Sequence, residues 1–314
     1  MGADTGGAEM LYPKVTIIVL NYNGLRFLRD CFRSLTRITY PNYEVILADN
    51  NSTDGSVAWF RANYEGERFR ALPLASNLHY AGGNNAAAKA AKGDYLFFIN
   101  NDVRVKPDFV QNAMDVMLSE TEIGACQSSL VDYTMPDDYE AKDDPKEILY
   151  AEGAALLISR RVFELIGGFD DSFHTYVEDV DLSIRTRLMG YKVMLAPKSV
   201  VFHLGNGTGM NLSGYGFANQ ARNYPMMMIK NLQLRNLIVA MPLFTVAAVR
   251  RMMGNVLKGN SQATRFRLVG LKDFVKQLSS TYEKRKAVQR RRVRDDSTIL
   301  KFTSLIDLAV KFRL

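Results

Sequence analysis

From Val15 to Leu20 the chain reads VTIIVL, an apolar run without alternation, which predicts a strand buried on both faces of a sheet. Asn21, Tyr22, Asn23 and Gly24 end it. Leu25, Leu28, Phe32 and Leu35 then recur at helical spacing, predicting an amphipathic helix that closes before Pro41. The alternation repeats with a strand at Tyr43 to Ala48, a helix starting around Val57, Trp59 and Phe60, and a short strand at Phe69 to Leu74. An alanine-rich helix at Ala86 to Ala91 and a buried strand at Tyr95 to Ile99 follow, and Pro107 to Leu118 reads as a helix opened by proline. Strand and helix in this order predict an α/β fold, a doubly wound parallel or mixed sheet.

Ile123 to Val131 and Ala154 to Ile158 read as further strands. Between them Asp132 to Glu147 is acidic, carries two prolines and has little to bury, which predicts a surface loop. Ser159 to Leu165 reads as a short helix stopped by Gly167 and Gly168. Val180, Ile184 and Leu188 place a helix start near Asp179, and Ser199 to Phe202 reads as the last strand of this region.

Composition separates two regions. From Arg222 to the end there are 20 Lys and Arg against 5 Asp and Glu, net +15, whereas residues 1–221 hold 20 basic and 28 acidic residues, net −8. The basic part has apolar stretches, Tyr224 to Ile229 and Leu237 to Val249; the second has 13 residues, contains Pro242 and reads as too short to span a bilayer. Arg250-Arg251 follow it, with Lys284-Arg285-Lys286 and a cluster from Arg290 to Arg294 further on. Apolar segments flanked by cations predict a peripheral position on an anionic membrane surface, on its cytoplasmic face. Nucleic acid is not the expected partner, since only Tyr282 stands near the cations and no aromatics interleave them for stacking. Cys31 and Cys126 are far apart, which argues for a reducing compartment and no disulfide framework. The polar opening, residues 1–12, lacks the apolar core of a signal peptide and reads as a flexible tail.

Polar residues gather where the strands end. Asp49 closes the second strand and Asn100, Asn101 and Asp102 close the strand at Tyr95, the place where open α/β sheets bind ligands. These residues also make ordinary turns, so Asp102 is a candidate cation ligand against a turn residue. Gly82 and Gly83 stand where a helix begins and allow a ligand to approach backbone N–H groups. Glu178, Asp179 and Asp181 crowd one helix start. Helix capping explains one or two of them, and Asp181 can pair with Arg185 at i,i+4.

As an ordered set, Asn21-Tyr22-Asn23, Asp49 through Ser56, Asn77 through Asn85, Asn101-Asp102, Gly167-Gly168-Phe169-Asp170, Glu178 through Leu182 and His203 resemble family 2 glycosyltransferases of GT-A fold, closest to the rhamnosyltransferase-like branch. The resemblance covers Pro13 to Asn206. It implies an inverting, metal-dependent transfer of a sugar from a nucleotide diphosphate sugar, UDP- or dTDP-linked, to a hydroxyl of a glycan or polyprenol-linked acceptor. It implies that Asn21, Asn23, Asp49, Asn77, Gly82, Gly83 and Asn101 frame the nucleotide, with Asp49 reading the base. Asp102 matches the last residue of the family's Asp-x-Asp motif, which holds Mg²⁺ or Mn²⁺ against the diphosphate, and His203 matches a histidine that some members add to the metal. The chain departs from that motif at Asn100, where the first aspartate would stand. Asp179 matches the general base, with Glu178 as its rival.

A nicotinamide enzyme would need Gly-x-Gly-x-x-Gly after the first strand, which Asn21-Tyr22-Asn23-Gly24 is not. A sugar nucleotidyltransferase would carry a Gly-rich basic loop there, also missing. A catalytically degenerate binding subunit is the remaining alternative, raised by Asn100. The expected organisation is a GT-A domain over 13–215 and a basic, mostly helical membrane-associating region over 216–314.

Overall fold

A computed structural model describes residues 12–205 and 214–311, and the expected tail lies outside the described residues except for Tyr12. Among the described residues nine strands build one mixed sheet in the order β3-β2-β1-β4-β8-β6-β9-β5, with β7 on β9. Its first half is parallel: β1 (Val15–Asn21) lies between β2 (Tyr43–Asp49) and β4 (Tyr95–Asn100), and β3 (Phe69–Pro73) extends the edge. β1 and β2 are buried along nearly their whole length, as their unbroken apolar runs require.

The second half reverses. β8 (Ala155–Ser159) runs antiparallel to both β4 and β6 (Ile123–Asp132), and β6 pairs in parallel with β9 (Lys192–His203). β9 is twelve residues long rather than the four expected; its register slips against β6 between Ser128 and Ser129, and that irregularity hides its first half from period counting. The short strands β5 (Val103–Val105) and β7 (Lys146–Glu147) were not visible in the apolar pattern and pair antiparallel with β9.

Helices cover both faces. α1 (Leu25–Leu35), α2 (Ser56–Asn63) and α4 (Phe109–Ser119) bury Leu28, Phe32, Phe60, Phe109 and Met114 against one face. Pro107 lies just before Asp108, which caps α4, so the proline precedes the helix rather than opening it. α3 (His79–Ala90) and α5 (Arg160–Ile166) pack Ala87, Ala88, Val162 and Phe163 on the other. Ser159 caps α5 by accepting from the Val162 N–H, and Gly167 closes it in left-handed conformation at φ 83°. Both cysteines are buried free thiols. The loop after β6 is tied down: Arg104 pairs with Asp137 and donates to the Tyr133 carbonyl, and Lys106 donates to the Tyr139 carbonyl.

The expected boundary at 215/216 does not separate two cores. α6 (Glu178–Leu188) shares a third apolar cluster with α7 (Gly214–Asn231): Val180, Ile184 and Leu188 pack with Tyr224, Met226, Met227 and Met228. Polar groups reinforce the seam. Asp181, fully buried, accepts from Arg185, Lys230 and Asn231, each at 2.8 Å, and Lys230 also reaches Asp170 at 2.7 Å. Burial alone would raise Asp170, but Lys230 and Lys284 beside it hold its carboxyl well below the usual range. Lys284 comes from α9 (Ser261–Arg291), so residues 170, 181, 230 and 284 form one ion network. Asp181 is therefore a structural residue, and the basic region is built onto the domain that precedes it.

α8 (Leu234–Leu257) corrects the reading of its apolar stretch as too short. The helix continues through Pro242 and past Arg250-Arg251 to 24 residues, about 36 Å at ~1.5 Å per residue. It is long and apolar enough to cross a membrane by length and composition, with a mean hydropathy of 1.5 over 18 residues. Ile238, Val246 and Met253 are each about 60% exposed, so α8 leaves an apolar face uncovered by the protein.

Candidate active site

Parallel pairing brings Asn21, Asp49 and Asn100 to one edge of the sheet, since Asn21 lies in register with Asp49 and Leu20 with Asn100. There the side chains lock together. Asn21 donates to Asp49 Oδ1 at 2.8 Å and accepts from Asn101 at 2.7 Å. Asp49 also accepts from the Ser52 hydroxyl and backbone N–H, so its buried carboxylate braces the loop with three bonds. Asn23 accepts from the Thr53 N–H at 2.8 Å, and Asp54 accepts from the Leu25 N–H, fastening this loop to the start of α1. Hydrogen bonding lowers the Asp54 carboxyl against a raising effect of burial.

The glycine pair sits elsewhere than expected. Gly82 and Gly83 lie inside the first turns of α3, not in a turn before it, because the helix already begins at His79 with Asn77 accepting the His79 N–H at 2.8 Å. Gly83 is there for close approach. A Cβ on it would stand 2.6 Å from Leu20 Cδ1 and 2.8 Å from the Asn50 side-chain oxygen, so a larger residue would force these side chains at the ends of β1 and β2 to shift.

Asp102 and His203 meet. β5 and β9 pair with Val103 opposite His203, and His203 Nε2 lies 3.4 Å from Asp102 Oδ1 and 3.3 Å from the Asn100 amide nitrogen. Asn100 thus contacts the histidine in place of offering a second charge. Among the described residues no group of three or more His, Cys, Asp or Glu side chains converges as a metal site. A carboxylate and an imidazole at this separation fit a divalent ion that takes its other ligands from phosphate and water, as Mg²⁺ and Mn²⁺ do.

The reversed strand β8 delivers a residue pair that the sequence did not single out. Because β8 is antiparallel to β4, its beginning lies at the edge where β4 ends: the Asn100 N–H donates to the Ala154 carbonyl at 3.2 Å. One residue earlier, the Gly153 N–H donates to Asp179 Oδ2 at 3.0 Å, and the Tyr80 hydroxyl donates to the Gly153 carbonyl. Glu152 stands beside them. Burial and the nearby Asp179 raise its carboxyl while His203 lowers it, so this acid senses both corners of the site. No spacing rule places Glu152 there without the direction of β8.

Glu178 and Asp179 open α6 behind Val177, whose left-handed φ of 74° turns the chain sharply. Their environments differ. Asp179 is half-buried and accepts N–H groups from Gly153 and Val180; burial raises its carboxyl and those bonds oppose the rise. Glu178 is buried, its Oε2 has no hydrogen-bond partner among the described residues, and burial followed by the charge of Asp179 holds it well above the ordinary range. Burial therefore disfavours charge on Glu178 more strongly than on Asp179, whose hydrogen bonds from Gly153 and Val180 support its carboxylate.

A mixed sheet with acids and amides at the ends of β1, β2 and β4, an acid and histidine at β5 and β9, and a second acid pair at a helix start define a glycosyltransferase domain of GT-A fold. The solved structure of the mannosyltransferase PcManGT from Pyrobaculum calidifontis with GDP-Man and Mn²⁺ superimposes with a TM-score of 0.55 at 16% identity, covering 96% of this chain and 86% of that one. The chain belongs to glycosyl transferase family 2, whose model matches residues 16–180. Similar sequences include the O-antigen biosynthesis protein RfbC of Myxococcus xanthus, 27% identical over 61% of this chain and 17% of that protein. Another is the N-acetylglucosaminyl-diphospho-decaprenol L-rhamnosyltransferase of Mycobacterium tuberculosis, 24% identical over 66% of this chain and 82% of that one. This chain spans less than half the length of several relatives it matches, from 17% to 48%.

Proposed function

We propose that this protein is an inverting glycosyltransferase that moves a sugar from a nucleotide diphosphate donor to a hydroxyl of a lipid-linked glycan. The observation that carries this is the short run of contacts from His203 and Asp102 through Asn100 and Ala154 to Gly153 and Asp179, which joins a cation corner to a base. Asp102 and His203 would hold a divalent ion, which when bound draws negative charge from the departing diphosphate. Asn21, Asn23, Asn77, Gly82, Gly83 and Asn101 frame the nucleotide. Asp49 contributes through the loop it braces, with one lone pair of Oδ2 left for the base. Asp179 takes the acceptor proton in line as the new bond forms, and Glu178 braces it or contacts the acceptor. The relative acting on a decaprenol diphosphate supports a polyprenol-linked acceptor, and the bound GDP-Man and Mn²⁺ of the solved mannosyltransferase support a nucleotide sugar with a divalent ion.

The test is release of nucleotide from UDP-, dTDP- and GDP-sugars with Mn²⁺ or Mg²⁺ present. At least one donor should turn over, and activity should depend on the ion. Nucleotide binding without hydrolysis or transfer from any donor would leave the binding-subunit reading in its place.

The uncovered face of α8, with Arg250, Arg251 and Lys258 at its end, is read as the surface that lies on an anionic membrane from the cytoplasmic side. Ile238→Glu, Val246→Glu and Met253→Glu each remove an apolar contact worth about 1.5 kcal/mol or more, roughly tenfold in partitioning. The triple variant should lose flotation with phosphatidylglycerol-rich vesicles and keep nucleotide binding. Equal flotation of variant and parent would refute this placement.

A further inference from the structure

Three rings from distant parts of the chain stack on one another. His79 opens α3, His174 follows the 3-10 turn Asp171–Phe173, and Tyr215 lies at the start of α7. The two imidazoles stack with centroids 4.7 Å apart, Tyr215 stacks on His79 at 5.9 Å, and its hydroxyl lies 3.1 Å from His79 Nδ1. With Tyr215 donating to Nδ1, His79 carries its proton on Nε2, where it can be given to a ligand. Both histidines hold left-handed backbone, at φ 58° and 60°, a conformation retained where side-chain placement is fixed by its surroundings.

Beneath the stack lies Arg222, buried to 7% exposure, and it forms no ion pair with a carboxylate among the described residues. It donates instead to neutral oxygens, the Phe173 carbonyl and the Asn223 amide. The field of this cation reaches the rings: after burial, it is the next cause lowering both His79 and His174, with His79 further lowering His174 and Asp171 opposing. Asn219 stands on the same face of α7, four residues from Tyr215 and three from Arg222. Its side-chain nitrogen is buried with no hydrogen-bond partner among the described residues, and the residue is 3% exposed. Asp273 acts on Arg222 only from beyond ion-pair distance, so a buried guanidinium bonded to neutral oxygens and a buried amide donor without an acceptor among the described residues both suit an oxyanion.

We propose that His79, His174, Tyr215, Asn219 and Arg222 form an anion site for a phosphate or diphosphate group of a substrate, separate from the Asp102–His203 corner. The imidazoles supply N–H donors at the rim, Tyr215 holds His79 in the tautomer that presents Nε2–H, and Arg222 supplies the charge below. The site deepens the glycosyltransferase reading, in which two substrates carry such a group: the nucleotide donor and a lipid diphosphate acceptor.

His174→Gln and Tyr215→Phe, both at partly exposed rings, test it in the full chain by calorimetric titration with UDP, GDP and dTDP in one arm and farnesyl diphosphate in the other. Farnesol serves as the uncharged control. Loss of a charge-assisted bond should weaken the bound diphosphate about tenfold in each variant. Weakening in the farnesyl diphosphate arm alone assigns the site to the acceptor, and weakening in the nucleotide arm alone assigns it to the donor. If both arms keep parental affinity in both variants, or farnesol binds as well as farnesyl diphosphate while no nucleotide weakens, the anion site is refuted. Asp102→Ala, titrated alongside with Mn²⁺ and nucleotide, reports on the glycosyltransferase reading independently.

Discussion

Asp179→Asn is expected to lower transfer turnover by about 10²- to 10⁴-fold while leaving donor affinity in place, the loss typical of a positioned general base. Single-displacement transfer needs one group to take the acceptor proton as the bond forms, and Asp179 meets the requirement by geometry. Its two oxygens are fixed by the N–H groups of Gly153 and Val180, and the residue is only partly buried where Glu178 is buried. The pH profile gives a second readout. Burial raises the Asp179 carboxyl, so activity should fall as pH drops through this elevated value, and the acid limb should flatten in the variant. Asparagine offers one acceptor oxygen to two N–H donors, so thermal stability and nucleotide binding must be recorded beside turnover. Near-normal transfer by Asp179→Asn with collapse in Glu178→Gln would exchange the two roles.

The second large effect belongs to Asp102→Ala, which should abolish metal-stimulated turnover, a loss of about 10³-fold or more if charge stabilisation at the diphosphate is worth several kcal/mol. Asp102 is the carboxylate that contacts His203 among the described residues, and Asn100 supplies an amide there in place of a second charge. His203→Ala should weaken Mn²⁺ dependence less severely, since oxygen ligands from phosphate and water remain. Turnover against Mn²⁺ concentration checks both, and full Mn²⁺-dependent activity in Asp102→Ala would exclude this corner as the cation site.

Much of this arrangement is legible in the chain itself. Buried parallel strands need apolar residues on both faces, so VTIIVL and the run at Tyr95 announce themselves, and whatever follows such strands shares one edge. That logic finds Asn21, Asp49 and Asp102 without coordinates. It fails at Glu152 and Gly153, which precede a strand and reach the same edge only because β8 runs backwards; no local pattern encodes strand direction. Glycine misleads at α3, where Gly82 and Gly83 read as a turn before the helix but lie within it, Gly83 facing Leu20 and Asn50 at the strand ends. Proline misleads at α8, where Pro242 sits inside a helix that continues well past it. His79, His174 and Tyr215 meet across as many as 136 residues, and each alone is an ordinary polar or aromatic residue.

The ion network at the seam sets an order of events during synthesis. Asp181 finds Arg185 four residues later on its own helix, but the other cations that neutralise Asp170 and Asp181, Lys230 and Lys284, are made later. A buried carboxylate left unpaired costs about 3–5 kcal/mol, enough to hold this side of the domain open. The sheet face carrying α1, α2 and α4 can condense on the ribosome as soon as β9 has emerged. The network at Asp170 is complete only after about 100 more residues have followed Asp181, some 5 to 20 s at ordinary elongation rates. A nascent chain halted before Lys284 thus carries Asp170 with Lys230 as its one cation among the described residues, and the seam between α6 and α7 is sealed only when the last long helix has left the tunnel.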